Sequence, residues 1–165
     1  MQQAAENAFD LRKEMPLLSR HEGVWEGMYR YYDAQGDKVD EHHSKLICRF
    51  TNAMPNPYLQ TNIYTWSDGR TETREFSGAY DGERLQFDND LIRGWAADVG
   101  PDENKRTSML YWKRKDDPDT YLYEMIQLSD CGQFRSRVWH WIKDSQITHR
   151  TLIDEHKVSD SWADS

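Results

Sequence analysis

His42, His140, His149 and Glu124 are the residues of this chain that could move a proton inside a folded protein, and Arg74, Tyr29 and Tyr31 are the groups that could steady the negative charge such a step develops. Their spacing gives each an inward direction if the chain forms strands there. Glu124 alternates with Leu122, Ile126 and Leu128, so a strand through them turns its carboxylate to the side of three aliphatic residues. A two-residue turn at Asp144-Ser145 sets His140 opposite His149, with Trp139 opposite Arg150 on the other face. Val138, Ile142, Ile147 and Ile153 accompany the histidines, which makes theirs the expected interior, and rings this close would share their protons. Counting from Asp68-Gly69 sets Arg74 opposite Ile63 and Phe76 opposite Thr61; counting from Asp81-Gly82 sets Phe76 opposite Phe87. Ile63, Phe76 and Phe87 then form an apolar wall around Arg74. Together these are the parts for proton abstraction, elimination or isomerisation. They are equally the parts of a binding pocket, and for any one buried histidine the plainer expectation is a core residue hydrogen-bonded to a carbonyl or carboxylate.

Alternation and turn residues define the elements that must hold these groups. A hairpin over His21 to Phe50, folded about Gln35-Gly36, places Trp25 opposite Leu46 and Tyr29 opposite His42 on an apolar face. Its other face pairs Glu26 with Lys45 and Arg30 with Glu41, and a one-residue slip would destroy this agreement. Further strands are expected at about Tyr58 to Trp66, Thr71 to Tyr80, Glu83 to Phe87, Leu91 to Asp98, Thr107 to Lys113, Tyr121 to Leu128, Phe134 to Lys143 and Ile147 to Lys157. Phe9, Leu11, Met15 and Leu18 predict a short helical lead-in over residues 7–18, interrupted at Pro16. The loop Thr51 to Pro57, with two prolines, is a candidate lid over one mouth. About ten short strands in consecutive hairpins, with no helix long enough for a crossover, leave an antiparallel barrel or sandwich as the economical architectures, and the barrel is preferred because closure removes both sheet edges.

A chain of 165 residues is the size of one domain. With 29 acidic and 21 basic side chains its net charge is −8, which argues against nucleic acid or an anionic membrane as a general partner. No stretch approaches the roughly 20 apolar residues of a membrane span, and Met1 to Asn7 lacks the basic start and apolar core of a secretion signal, so the cytoplasm is the expected address. Cys48 and Cys131, without CxxC spacing, are expected to be free thiols. No metal site is expected: His42 and His43 are adjacent on a strand and point to opposite faces, and the one set with suitable chemistry would be His140, His149 and Glu124. No cofactor is expected either, for there is no P-loop, dinucleotide fingerprint or G-x-S-x-G elbow. Seven tryptophans and nine tyrosines suit a β-sheet core, or a cavity lined for a flat ligand.

Gly23-Val24-Trp25 on the first strand, after a short helix and before a meander of hairpins, resembles the lipocalin and calycin superfamily. The longer pattern Gly23-Val24-Trp25-Glu26-Gly27, then Asp33-Ala34-Gln35-Gly36 and later Tyr64 to Arg70, is similar to the intracellular lipocalin-like proteins of unknown function grouped as DUF3598. The resemblance implies a barrel over about Leu18 to Lys157, with Trp25 at its closed end against an arginine late in the chain. Arg150 is the first match for that arginine and Arg137 the second. Haem-binding nitrobindin-type barrels open with a similar Gly-x-Trp-x-Gly, but this chain continues Met28-Tyr29-Arg30 rather than with glycines, and no late histidine stands in a haem-ligand motif.

The expected fold is therefore all-β: an antiparallel up-and-down lipocalin-like barrel of about ten strands with a short N-terminal helix, in one domain over residues 1–165, with a polar tail at 159–165 that is poorly ordered unless Trp162 docks. The expected function is a cytoplasmic barrel binding a small, partly apolar or aromatic organic molecule in its cavity, with room for a homodimer. The alternative is a cofactor-independent lyase or isomerase using the histidines or Glu124 in the same cavity.

Overall fold

Strand-like alternation runs through most of the chain, and the computed structural model, which describes residues 8–163 and 165, turns it into ten strands. They are β1 Gly23–Asp33, β2 Lys38–Phe50, β3 Tyr58–Thr65, β4 Thr71–Tyr80, β5 Leu85–Asp88, β6 Ile92–Asp98, β7 Thr107–Arg114, β8 Thr120–Leu128, β9 Phe134–Lys143 and β10 Gln146–Ser159. Each pairs antiparallel with its neighbour in sequence, and β1 pairs with β10, so the sheet closes into a barrel. The helical lead-in is two single turns, α1 Leu11–Glu14 and α2 Pro16–Ser19, parted at Met15 because Pro16 lacks an N–H and starts the second turn. The first residue of the expected lead-in, Asn7, and the rest of the N-terminal segment lie outside the described residues. No helix among the described residues is long and apolar enough to cross a membrane.

Turn geometry decides which side chains face inward. The first hairpin has the expected register, Trp25 opposite Leu46 and Tyr29 opposite His42, although an unpaired Val39 shifts the pairing beyond Tyr31. Between β3 and β4 the loop is Ser67-Asp68-Gly69, three residues rather than two, with Gly69 at φ +86° and Trp66 bonded to Arg70. The odd count moves β3 by one residue: Arg74 lies opposite Asn62 and Phe76 opposite Gln60. Ile63 therefore sits on the outer face, and Tyr58, Gln60, Asn62 and Tyr64 replace Thr61 and Ile63 on the inner one. Asp81 to Arg84 form a four-residue turn, so Phe87 pairs with Gly78 instead of Phe76, but the even count leaves Phe87 inside.

The β9–β10 hairpin does turn at Asp144-Ser145, with Ile147 opposite Ile142, and then Thr148 is inserted as a bulge. Beyond it His149 faces Trp141 and Arg150 faces His140, so the two histidines fall on opposite faces. His140 is exposed on the outer wall beside Arg150, and His149 is exposed at the rim. The expectation of a histidine pair in the cavity is thus corrected by one extra residue.

The closed end is built around Trp25, which is wholly buried and donates its indole N–H to His21 O at 2.9 Å. Leu11, Met15 and Leu18 from the two helical turns share its core. The arginine stacked on the Trp25 ring, at 4.3 Å, is Arg135, not Arg150 or Arg137. Both glycines of Gly23-Val24-Trp25-Glu26-Gly27 are explained by β10: a Cβ at Gly23 would stand 2.2 Å from Ser159 O, and one at Gly27 would stand 1.9 Å from Asp154 O. The loop expected as a lid lies at this same closed end. Asn52 accepts from Leu11 N at 2.9 Å and donates to Asp10 at 3.1 Å, fastening α1 to the barrel. The tail ring docks, Trp162 donating to Glu22 at 2.7 Å.

Candidate functional site

The barrel interior is a cavity of about 650 Å³, inside the range of roughly 300–1,000 Å³ typical of small-molecule sites. Its floor is polar. Arg137 binds Glu124 and, at 3.2 Å, Glu155; Arg135 binds Glu155 from the other side. All four side chains are buried, and two arginines matched by two carboxylates leave no net charge. Burial pushes the Glu155 carboxyl up, and the two guanidinium groups more than offset it, so Glu155 stays below its usual range. Arg137 also donates to the Tyr29 hydroxyl at 2.8 Å, and burial raises Tyr29 well above an ordinary phenol. Tyr29 is packed against His42, Tyr64 and Trp139 rather than lining open space.

Two aromatic clusters form the walls. On β4, β5 and β7, Phe76 meets the edge of Trp112 at 5.0 Å between centroids, and Phe87 stacks on the same indole at 5.4 Å. Across the barrel, His42 lies within 4.9 Å of the Tyr29, Tyr64 and Trp66 rings. His42 Nδ1 is within hydrogen-bond reach of His43 O and Ser44 Oγ, and Nε2 is 3.0 Å from the Tyr31 hydroxyl. The carbonyl can only accept, which puts the proton on Nδ1 and makes Nε2 the acceptor from Tyr31. Burial holds the imidazole below its usual pKa. The inner face of β3 adds a one-way chain: Tyr58 donates to Gln60, Gln60 to Asn62 and Asn62 to Tyr64, at 2.7, 2.7 and 2.9 Å.

The mouth carries Arg74, half-exposed, bonded to Glu72 at 2.6 Å and lying over the Tyr64 ring, together with Arg114. Trp66 closes one side of it by donating to Asp40. The cavity also opens sideways. β4 pairs with β5 only from Gly78 to Tyr80, and Thr73 and Glu75 from the outward face of β4 line the opening with Asn89 and Leu91.

Of the residues singled out by sequence, His42, Glu124, Arg74, Tyr31, Phe76 and Phe87 line one cavity; Tyr29 supports it; Ile63, His140 and His149 do not reach it. A metal set of His140, His149 and Glu124 is ruled out by the same placement. Sequence reasoning missed Arg135, Glu155, Trp112, His21 and the β3 chain, and named Arg137 only as a second match for the arginine beside Trp25. Two signals were present: Ser67-Asp68-Gly69 is also a three-residue loop with glycine at its left-handed position, and Arg135 and Arg137 alternate on one strand as paired interior charges would.

No family model matches the chain, and no curated protein matches it in sequence. Solved structures do share its shape. A protein of unknown function of the DUF3598 family from Nostoc punctiforme superposes with a TM-score of 0.66 at 15% identity, over 86% of this chain and 49% of that one, so this chain spans about half its length. The S-type phycobiliprotein lyase CPES from Guillardia theta superposes with a TM-score of 0.63 at 10% identity, over 93% of this chain and 94% of that one. At these identities the likeness carries the fold, a closed ten-strand antiparallel barrel of lipocalin-like form.

Proposed function

We propose that the barrel binds one flat, conjugated, partly apolar organic molecule in its central cavity, and that an open-chain tetrapyrrole is the class it takes. The observation that carries this reading is the cavity itself: about 650 Å³ between the Phe76–Trp112–Phe87 cluster and the rings around His42, with arginines at its mouth. Aromatic walls favour a flat conjugated body, and a mouth with Arg74 and Arg114 favours carboxylates. The tetrapyrrole class rests on the neighbour named for phycobiliproteins, which carry open-chain tetrapyrroles. Holding is favoured over converting. Glu124 is held in an ion pair with Arg137 through Oε1, and both His42 nitrogens are engaged, so the two acid–base candidates are already committed to structural partners. A cytoplasmic address belongs to this reading, supported by the unbridged Cys48 and Cys131.

Titration with biliverdin tests it. Binding at one molecule per chain should quench the tryptophan fluorescence and shift the bilin absorption band, and Trp112→Ala should weaken it. A naphthalene sulfonate dye serves as a second flat probe. If the dye binds and biliverdin does not, the tetrapyrrole class is wrong; if neither binds, the cavity is not a ligand site.

A further inference from the structure

The cavity is rich in hydrogen-bond donors and poor in free acceptors. Glu124 Oε1 and both Glu155 oxygens are held by arginines, and the Gln60 and Asn62 carbonyl oxygens by the β3 chain, which leaves Glu124 Oε2 as the floor acceptor without a partner among the described residues. His21 Nε2, Trp112 Nε1 and Trp139 Nε1 are buried atoms of cavity-lining residues, with no partner among the described residues. Buried donors of this kind are uncommon, and each costs free energy until an acceptor meets it. Tyr64, at the end of its chain, accepts from Asn62 and keeps its own hydroxyl proton to give.

His21 is the deepest of these. It is 2% exposed and stands in the turn between α2 and β1, beside Leu18 and Arg135 on the cavity floor. Arg135 donates to its Nδ1 at 3.2 Å, and an arginine cannot accept, so the proton of the ring belongs on Nε2. Burial, reinforced by Arg135 and Arg137, keeps the ring neutral near pH 7. The floor therefore presents one uncharged N–H beside a charge ladder that is already balanced. A carboxylate placed there would find no unmatched cation. A carbonyl oxygen, admitted by a shift of the side chains packed around His21, would complete the bond that Nε2 leaves unfilled. At the mouth the order reverses: Arg74 and Arg114 are partly exposed, and their bonds to Glu72 and Asp116 are surface pairs that a ligand carboxylate can displace.

We propose that the closed end of the cavity is a subsite for an uncharged carbonyl group of the ligand, received by the Nε2–H of His21, so that the ligand binds carbonyl-first with its carboxylates toward Arg74 and Arg114. This rests on the cavity being the ligand site, and it makes His21 the residue that sets ligand direction. Open-chain tetrapyrroles fit the requirement, having a lactam carbonyl at each end and acidic side chains between.

The test uses the full chain, biliverdin and biliverdin dimethyl ester. In protein labelled with 15N-histidine, His21 should be in the Nε2–H form, and that N–H signal should move on adding either probe. His21→Phe should weaken both probes by roughly tenfold, the usual consequence of leaving a buried carbonyl without its donor. His21→Gln, which keeps a donor, should recover part of the loss. Arg74→Met should weaken biliverdin and leave the dimethyl ester unchanged. Binding of both probes with the His21 signal unmoved, or undiminished in His21→Phe, overturns the subsite while leaving the cavity as the ligand site. Failure of the wild-type chain to bind either probe overturns both. The signal from the wild-type chain decides the matter even if His21→Phe does not fold.

Discussion

Replacing Arg137 by methionine should be far more damaging than replacing the whole ion pair it belongs to. Among the described residues Arg137 is the only partner of the buried Glu124 carboxylate; it also shares Glu155 with Arg135 and donates to the Tyr29 hydroxyl. Methionine has a similar reach and fills space, so the perturbation is chiefly electrostatic. It leaves Glu124, 1% exposed, with no counter-charge in the floor of a cavity walled by Leu110, Ile126 and Trp139. Removing one partner of a buried pair costs about 3–5 kcal/mol, because the other charge stays desolvated. For a domain of this size that corresponds to a fall in Tm of about 10 °C. Arg137→Met combined with Glu124→Leu removes both charges and leaves Arg135 matched to Glu155, so it should cost much less, with loss of the Tyr29 bond, about 1 kcal/mol, as the main remaining penalty. Urea unfolding of the wild type, both single variants and the double variant, followed by tryptophan fluorescence, closes the cycle. A single variant no less stable than the double would refute the account of the floor as a balanced ladder.

Gly27→Ala should destabilise the chain by about 1–3 kcal/mol or more, since its Cβ would press on the Asp154 carbonyl and part β1 from β10; a neutral effect on the urea midpoint would contradict the close approach. Acid should weaken the fold in two stages. Burial depresses His42 and His21, so their contribution is complete above about pH 6.5 and is lost as pH falls from there through the lowered folded values; Glu155, also depressed, contributes fully above about pH 4.3 and is lost below it. Urea midpoints measured between pH 8 and 3 should show both falls, and a flat profile down to pH 4.5 would contradict the burial of the histidines. His140→Ala and His149→Ala should leave biliverdin affinity within twofold of wild type, because both rings are exposed outside the cavity; a larger loss in equilibrium titration would return them to the site.

The strand pattern was legible almost to the residue, because alternation and turn residues are local. The inner face was legible only where the residues of a turn and its bulge together made an even count. β1, β2 and β8 came out as read, and Glu124 was recognised by its three aliphatic neighbours. β3 and β9 came out with the other face inward because of single residues, Gly69 in the β3–β4 loop and Thr148 in the bulge of β10. The aliphatic rule then misled, since Ile63, Val138 and Ile142 lie on the outer face while Gln60, Asn62, Arg135 and Arg137 face in. A strand beside a solid core shows apolar residues inward. One beside a ligand cavity can show the reverse, and no local pattern distinguishes them.

The pairing of β1 with β10 also bears on how the chain is made. Its partners run from Asp33–His149 to Val24–Ser159, so the first strand to leave the ribosome waits for the last before both of its sides are covered. Until then the nascent sheet has two bare edges, one on β1 and one on whichever strand has just emerged, and each can pair with another copy as readily as with its own chain. The docking of β10, whose backbone packs closely against Gly23 and Gly27, is then the step that ends this exposure. A slow arrival of residues 146–159 would be felt as aggregation of unfinished chains rather than as instability of finished ones.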